Sequence, residues 1–223
     1  MIPARRRIGL VGGTFDPPHV GHLALARAAR DALALDEVRL VPTGRSWQKS
    51  HAGASAPQRL EMTRLAIAGL PAAERLVVDD REVRRDGPTY TVDTLASLRA
   101  EVGPAPALVL VLGSDQLRNL PTWHRWRELF AQAHVAATQR ERVGLEHLPA
   151  ELEAELSARG RDALPDAPAG AIVLFRMPAV AVSATALRAQ LGRGERPVGL
   201  SPPAVLDYIE THRLYGGRLP RTT

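Results

Sequence analysis

Short apolar runs alternate along the chain with longer amphipathic stretches. Ile8–Val11, Val38–Val41, Leu76–Val78, Leu108–Leu112, Val135–Ala137 and Ile172–Phe175 are rich in Val, Ile and Leu, as strands covered on both faces are. Between them, Val20–Leu33, Pro57–Gly69, Val92–Val102 and Trp123–Ala133 repeat their apolar positions at helical spacing, and Gly69 and Gly103 close two of these stretches. The alternation predicts an α/β fold with a doubly wound, mostly parallel sheet. A further helix is expected from Ser183, a good N-cap, to Leu191. The pattern is weakest from Gln139 to Gly170, where an acidic surface helix over Leu148–Leu156 precedes a loop containing Pro165 and Pro168. This region, 139–170, is read as an insertion in a single domain spanning 1–215, followed by a flexible tail at 216–223.

Ligands of doubly wound sheets lie beyond the carboxyl ends of the strands, so the segments after the apolar runs carry the candidate chemistry. The first is Gly12-Gly13-Thr14-Phe15-Asp16-Pro17-Pro18-His19-Val20-Gly21-His22. Two glycines allow a tight turn that brings bare backbone N–H groups close to anionic oxygens. His19 and His22, three apart at a helix start, share one face of its first turn, where the helix dipole favours negative charge. Gly21 is expected to leave room for a polyphosphate. A second helix start, Val182-Ser183-Ala184-Thr185-Ala186-Leu187-Arg188, can direct the Thr185 hydroxyl and the Arg188 guanidinium to phosphates. Gly113-Ser114-Asp115 closes another strand, and Thr122 reads as a cap for a helix opening at Trp123, which either stacks on an aromatic ligand or packs with Trp126. Thr89-Tyr90-Thr91 is a candidate binding turn or an ordinary N-cap.

Composition narrows the chemistry. The 223 residues contain no cysteine, which excludes disulfides, thiolate metal sites and thiol redox catalysis. The net charge of +5 suits phosphorylated small molecules as well as nucleic acid, but no basic block carries interleaved aromatics, so no nucleic-acid partner is expected. No membrane partner is expected either, and the apolar run after Arg5–Arg7 ends too soon for a signal peptide; a cytoplasmic protein is the expectation. Lys49 is the sole lysine, a compact ammonium among many planar guanidinium groups.

From Ile8 to Tyr215 the chain resembles the bacterial nicotinate-nucleotide adenylyltransferases of the nucleotidyltransferase superfamily. The resemblance is carried in order by GGTFDPPHVGH from Gly12, TYTVDTL from Thr89, GSDQL from Gly113, PTW from Pro121, VSATALR from Val182 and the closing LSPPAV and Tyr208-Ile209. It implies a Rossmann-like nucleotidyltransferase fold with a small C-terminal helical part. The implied reaction is transfer of AMP from ATP to nicotinate mononucleotide, with release of pyrophosphate. By the same resemblance His19, His22, Lys49 and Arg188 are catalytic, and Gly12, Gly13, Thr14, Phe15, Gly113, Asp115, Ser183 and Thr185 bind ATP. Asp16, Thr89, Tyr90 and Trp123 fall on the mononucleotide side. Mg2+ is expected on the ATP phosphates, with no metal held by the protein itself, since the two histidines lack a third ligand for zinc. A homo-oligomer is compatible with the sequence. The family commonly has Pro-Pro-His-Lys where this chain has Ser46-Trp47-Gln48-Lys49: the lysine matches and its neighbours do not.

Overall fold

A computed structural model describes residues 5–46, 53–139 and 148–216. Its strands are β1 (Arg7–Gly13), β2 (Glu37–Pro42), β3 (Arg45–Ser46), β4 (Leu76–Val78), β5 (Pro88–Thr89), β6 (Ala107–Leu112), β7 (His134–Gln139), β8 (Gly160–Arg161) and β9 (Ile172–Arg176). The helices are α1 (Val20–Leu33), α2 (Ala56–Ala68), α3 (Thr91–Val102), α4 (Ser114–Arg118), α5 (Leu129–Gln132), α6 (Ala150–Arg159), α7 (Ala184–Gly192) and α8 (Pro203–Thr211). Seven strands form one sheet in the order β4-β2-β1-β6-β7-β9-β8. Every pairing in it is parallel. The sheet is therefore wholly parallel, and β8, contributed by the 139–170 region, extends its edge.

The strand side chains obey a two-residue period between two cores. Leu108, Leu110, Val135 and Ala137 join Leu95, Leu98, Trp126 and Phe130 on one face. Val109, Val111 and Ala136 meet Leu23, Ala26, Ala29 and Leu33 of α1 on the other. With both faces covered, all six residues of β6 are buried, which explains its unbroken apolar run. A third cluster joins Met62 and Ala66 of α2 to Leu191 of α7 and Val205, Leu206 and Ile209 of α8, so the C-terminal helices lean on α2 beside the sheet.

The expected helix over Trp123–Ala133 is broken. Leu120–Thr122 and Trp126–Glu128 are single 3-10 turns, and only Leu129–Gln132 is α-helical. Trp123 is extended, and Arg125 adopts a left-handed φ of 51° that no α-helix contains. Thr122 caps nothing: its hydroxyl donates to the Asn119 carbonyl at 2.7 Å. A two-residue parallel pairing of β3 with β5, too short to show periodicity, joins the loop after β2 to the turn before α3. No helix among the described residues is long and apolar enough to cross a membrane.

Candidate active site

The chain leaves β1 toward β2 on one side and returns through β6 on the other, which makes the carboxyl ends of β1 and β6 the topological switch point. Glycines stand at both ends. Among the described residues, a Cβ built on Gly12 or on Gly113 would meet no atom within 4 Å. Gly13 instead faces the ring of Phe15, which is buried and takes a positive φ of 50° to turn the loop.

His19 is the N-cap of α1, and its backbone N–H donates to Nδ1 of His22 at 3.1 Å. That bond makes His22 Nδ1 an acceptor, so the hydrogen of the neutral ring resides on Nε2. The two imidazoles stack with centroids 3.7 Å apart, and Phe15 tilts against His22 at 4.7 Å. His19 is 8 % exposed, and burial pushes its pKa down to about 4, so it is uncharged at neutral pH. Its Nδ1 is buried and has no hydrogen-bond partner among the described residues. Both histidines line a pocket with Gly113, Thr138, Met177 and Val182. Gly21 is needed for closeness to protein rather than for open room: a Cβ there would lie 2.9 Å from Val182 Cγ1 and 3.1 Å from His19 Nδ1.

The second helix start lies against the same loop. Ser183 caps α7 by accepting the Ala186 N–H at 3.2 Å, and Arg188 reaches Thr185 Oγ1 at 3.4 Å. Arg188 Nη1 also donates to the Asp16 carbonyl at 2.7 Å, which ties α7 to the segment leading into α1. Lys49 and Trp47 lie outside the described residues.

Sequence reasoning did not find the supports beneath this loop. Arg59, 3 % exposed, donates to the carbonyls of Thr14 at 2.7 Å, Gly44 at 2.9 Å and Ala54 at 3.3 Å. Asp16 is equally enclosed: its carboxylate accepts Gly53 N–H at 2.7 Å, Ala54 N–H at 3.1 Å and the Tyr215 hydroxyl at 2.7 Å. The LSPP segment secures the other end of the loop, with Ser201 Oγ donating to the Pro18 carbonyl at 2.7 Å and Leu200 O receiving the Val20 N–H at 3.0 Å. Gly44 must be glycine because a Cβ would collide with the Glu82 carbonyl at 2.0 Å. Apart from Ala54, five positions before Arg59, none of these partners is near in sequence to the group it serves, so no local pattern announces them.

Thr89, Tyr90 and Trp123 are not among the residues that line this pocket. Thr89 is buried in β5 and donates to the Arg45 carbonyl at 3.3 Å. Tyr90 caps α3, and its ring lies 4.3 Å from that of His124. Trp123 packs its partly buried ring against the core cluster that contains Trp126, while its Nε1, like Ser114 Oγ and Arg85 Nη1, is buried without a partner among the described residues. Below them Glu82 accepts the Thr94 hydroxyl at 2.7 Å, and burial raises its pKa against the opposing hydrogen bonds from Thr94 and Thr89. Asp115 is exposed in the first turn of α4, next to Gly113. Among the described residues no three His, Asp or Glu side chains gather as a metal site.

Residues 10–190 match the cytidylyltransferase-like family. The chain is 48 % identical over 217 residues to a probable nicotinate-nucleotide adenylyltransferase of Laribacter hongkongensis, covering 97 % of each chain. It is 46 % identical to the protein of the same description from Dechloromonas aromatica, covering 93 % of this chain and 97 % of that one. Among solved structures, the nicotinic acid mononucleotide adenylyltransferase of Plasmodium falciparum complexed with NaAD superposes with a TM-score of 0.73 at 19 % identity, over 95 % of this chain and 98 % of the other. That likeness establishes the fold, and the curated relatives establish the kinship. The chain belongs to the nicotinate-nucleotide adenylyltransferase family, within the cytidylyltransferase-like nucleotidyltransferases.

Proposed function

We propose that this protein transfers AMP from ATP to nicotinate mononucleotide, forming nicotinate adenine dinucleotide and pyrophosphate, a step of NAD synthesis. The attacking group is a phosphate monoester oxygen whose second pKa is about 6, so it is largely ionised at neutral pH and needs no general base. It forms a bond to the α-phosphorus of ATP as the bond to the bridging oxygen of pyrophosphate breaks. Catalysis then consists of bringing two anions into line and stabilising the charge on the transferring group. His22 Nε2–H and His19 act as uncharged donors toward the phosphates. Arg188 and Lys49 supply the positive charge, and Ser183 and Thr185 add hydroxyls beside Arg188. Gly12, Gly13, Thr14 and Phe15 shape the phosphate cradle, Gly113 and Asp115 border the adenosine, and Thr89, Tyr90 and Trp123 border the pyridine ring. Mg2+ enters with ATP: it prefers oxygen ligands and is commonly held by substrate phosphates, and here both oxygens of the nearby Asp16 carboxylate already serve protein donors.

The observation that supports this reading best is the His19–His22 pair, stacked over the pocket at the switch point, with the His22 tautomer set by a backbone amide. The test is incubation with Mg2+ and ATP or CTP, with nicotinate or nicotinamide mononucleotide as acceptor, followed by mass analysis of the product. The expected product is nicotinate adenine dinucleotide. Equal kcat/KM for the acid and amide acceptors, or a preference for CTP, refutes the substrate assignment.

A further inference from the structure

Asp16 joins four segments remote in sequence. Its carboxylate holds the amides of Gly53 and Ala54 and the hydroxyl of Tyr215, and its own carbonyl is held by Arg188. Arg188 Nη1 also lies 3.9 Å from the carboxylate, a long ion pair. Tyr215 comes from the turn Leu214–Gly216, where its φ of 63° is unusual for a bulky residue. Such a conformation persists only where the surroundings determine it. Here the ring lies on Gly53: a Cβ at that glycine would stand 2.7 Å from Tyr215 Cδ1 and Cε1. The ring is thus seated by packing, and its hydroxyl points at a carboxylate that no other hydroxyl reaches among the described residues.

We propose that Tyr215 is a positioning residue for the phosphate loop: through the buried Asp16 carboxylate, its hydroxyl fixes the segment between Thr14 and His19 against Arg188 of α7. The inference rests on the adenylyl-transfer reading only for its kinetic assay. Tyr215 touches no substrate in this role. Without its hydroxyl the ring keeps its seat on Gly53, but the loop samples positions in which His19 and Arg188 do not face the same phosphates. ATP then binds only the fraction of molecules with the loop in place, which raises the apparent dissociation constant by the inverse of that fraction and leaves turnover at saturation intact.

The test compares wild type, Tyr215→Phe, Asp16→Asn and the double variant by steady-state kinetics, by calorimetric titration with ATP and by thermal unfolding. Tyr215→Phe is expected to raise KM and Kd for ATP about fivefold to tenfold, with kcat and the mononucleotide KM within roughly twofold of wild type, and Asp16→Asn to raise the Kd for ATP at least as much. The double variant should be no worse than Asp16→Asn, because both changes break one linkage. A Tyr215→Phe protein whose ATP affinity equals that of wild type overturns the proposal, whether or not its melting temperature falls. Multiplying effects in the double variant overturn it too. An inactive wild-type protein defeats the adenylyl-transfer reading instead, and the ATP titrations still decide the role of Tyr215.

Discussion

Replacing Arg59 with methionine removes a guanidinium from a site only 3 % exposed while keeping most of the alkyl stem. Three carbonyls, those of Thr14, Gly44 and Ala54, lose their donor. Leaving a buried acceptor unsatisfied costs about 1–3 kcal/mol. Opposing this, the variant no longer desolvates a cation, a penalty of several kcal/mol even in relaxed proteins. Burial is the first influence on Arg59 and lowers its pKa, and the strongest opposing influence is the charge of Asp16. Weighing three orphaned carbonyls against one recovered desolvation leaves a net loss of about 3 kcal/mol. For a chain of this size that lowers the melting temperature by roughly 6–12 °C. Differential scanning calorimetry at neutral pH reads it directly, and Arg59→Lys should fall between the two, since one ammonium keeps the charge but cannot span three carbonyls in a fork. A melting temperature for Arg59→Met within about 2 °C of wild type would show that these bonds contribute nothing net, and the reasoning would fail.

His22→Ala should lower kcat about a hundredfold, near 3 kcal/mol, with a smaller change in KM, and a turnover within a factor of about two refutes its role as a donor. Gly21→Ala sets a helix-propensity gain of up to about 1 kcal/mol against overpacking of about 1–3 kcal/mol on Val182 and the His19 ring. The expected outcome is a slightly lower melting point with about tenfold slower turnover, and a variant both more stable and fully active contradicts it. His134 is fully buried, accepts the Ala171 N–H at Nδ1 and lies 2.8 Å from the Ala167 carbonyl through Nε2, and burial lowers its pKa. The unfolded chain therefore takes up a proton that the folded one refuses. This contribution is complete above about pH 6.5 and declines as pH falls toward the folded pKa, at up to about 1.4 kcal/mol per pH unit. Urea midpoints at pH 7.5 and 5.5 should differ less for His134→Gln than for wild type; equal slopes count against the assignment.

The apolar runs located the central strands because a parallel sheet covered on both faces leaves no polar positions to confuse the pattern, as β6 illustrates. The Val20–Leu33 helix was legible to the residue, since its buried Leu23, Ala26, Ala29 and Leu33 repeat on one face. Over Trp123–Ala133 the same signal misled. Trp126, Leu129, Phe130 and Ala133 are buried at helical spacing, yet that spacing records burial and not continuity of the backbone, which breaks at Arg125. Arg59 was illegible for another reason: an arginine in an amphipathic helix reads as solvated, and its acceptors at Thr14 and Gly44 lie 45 and 15 positions away. Asp16 was conspicuous by its place in the motif, but its carboxylate is committed to groups that only the folded chain brings near.

The contacts of Leu200 and Ser201 with Val20 and Pro18 have a bearing on biosynthesis. The glycine loop leaves the ribosome well before its support, since the hydroxyl that steadies Pro18 arrives 183 positions later. Nascent chains can assemble the central strands before they own a finished nucleotide cradle, so competence for ATP should appear only once Leu200 and Ser201 have been made.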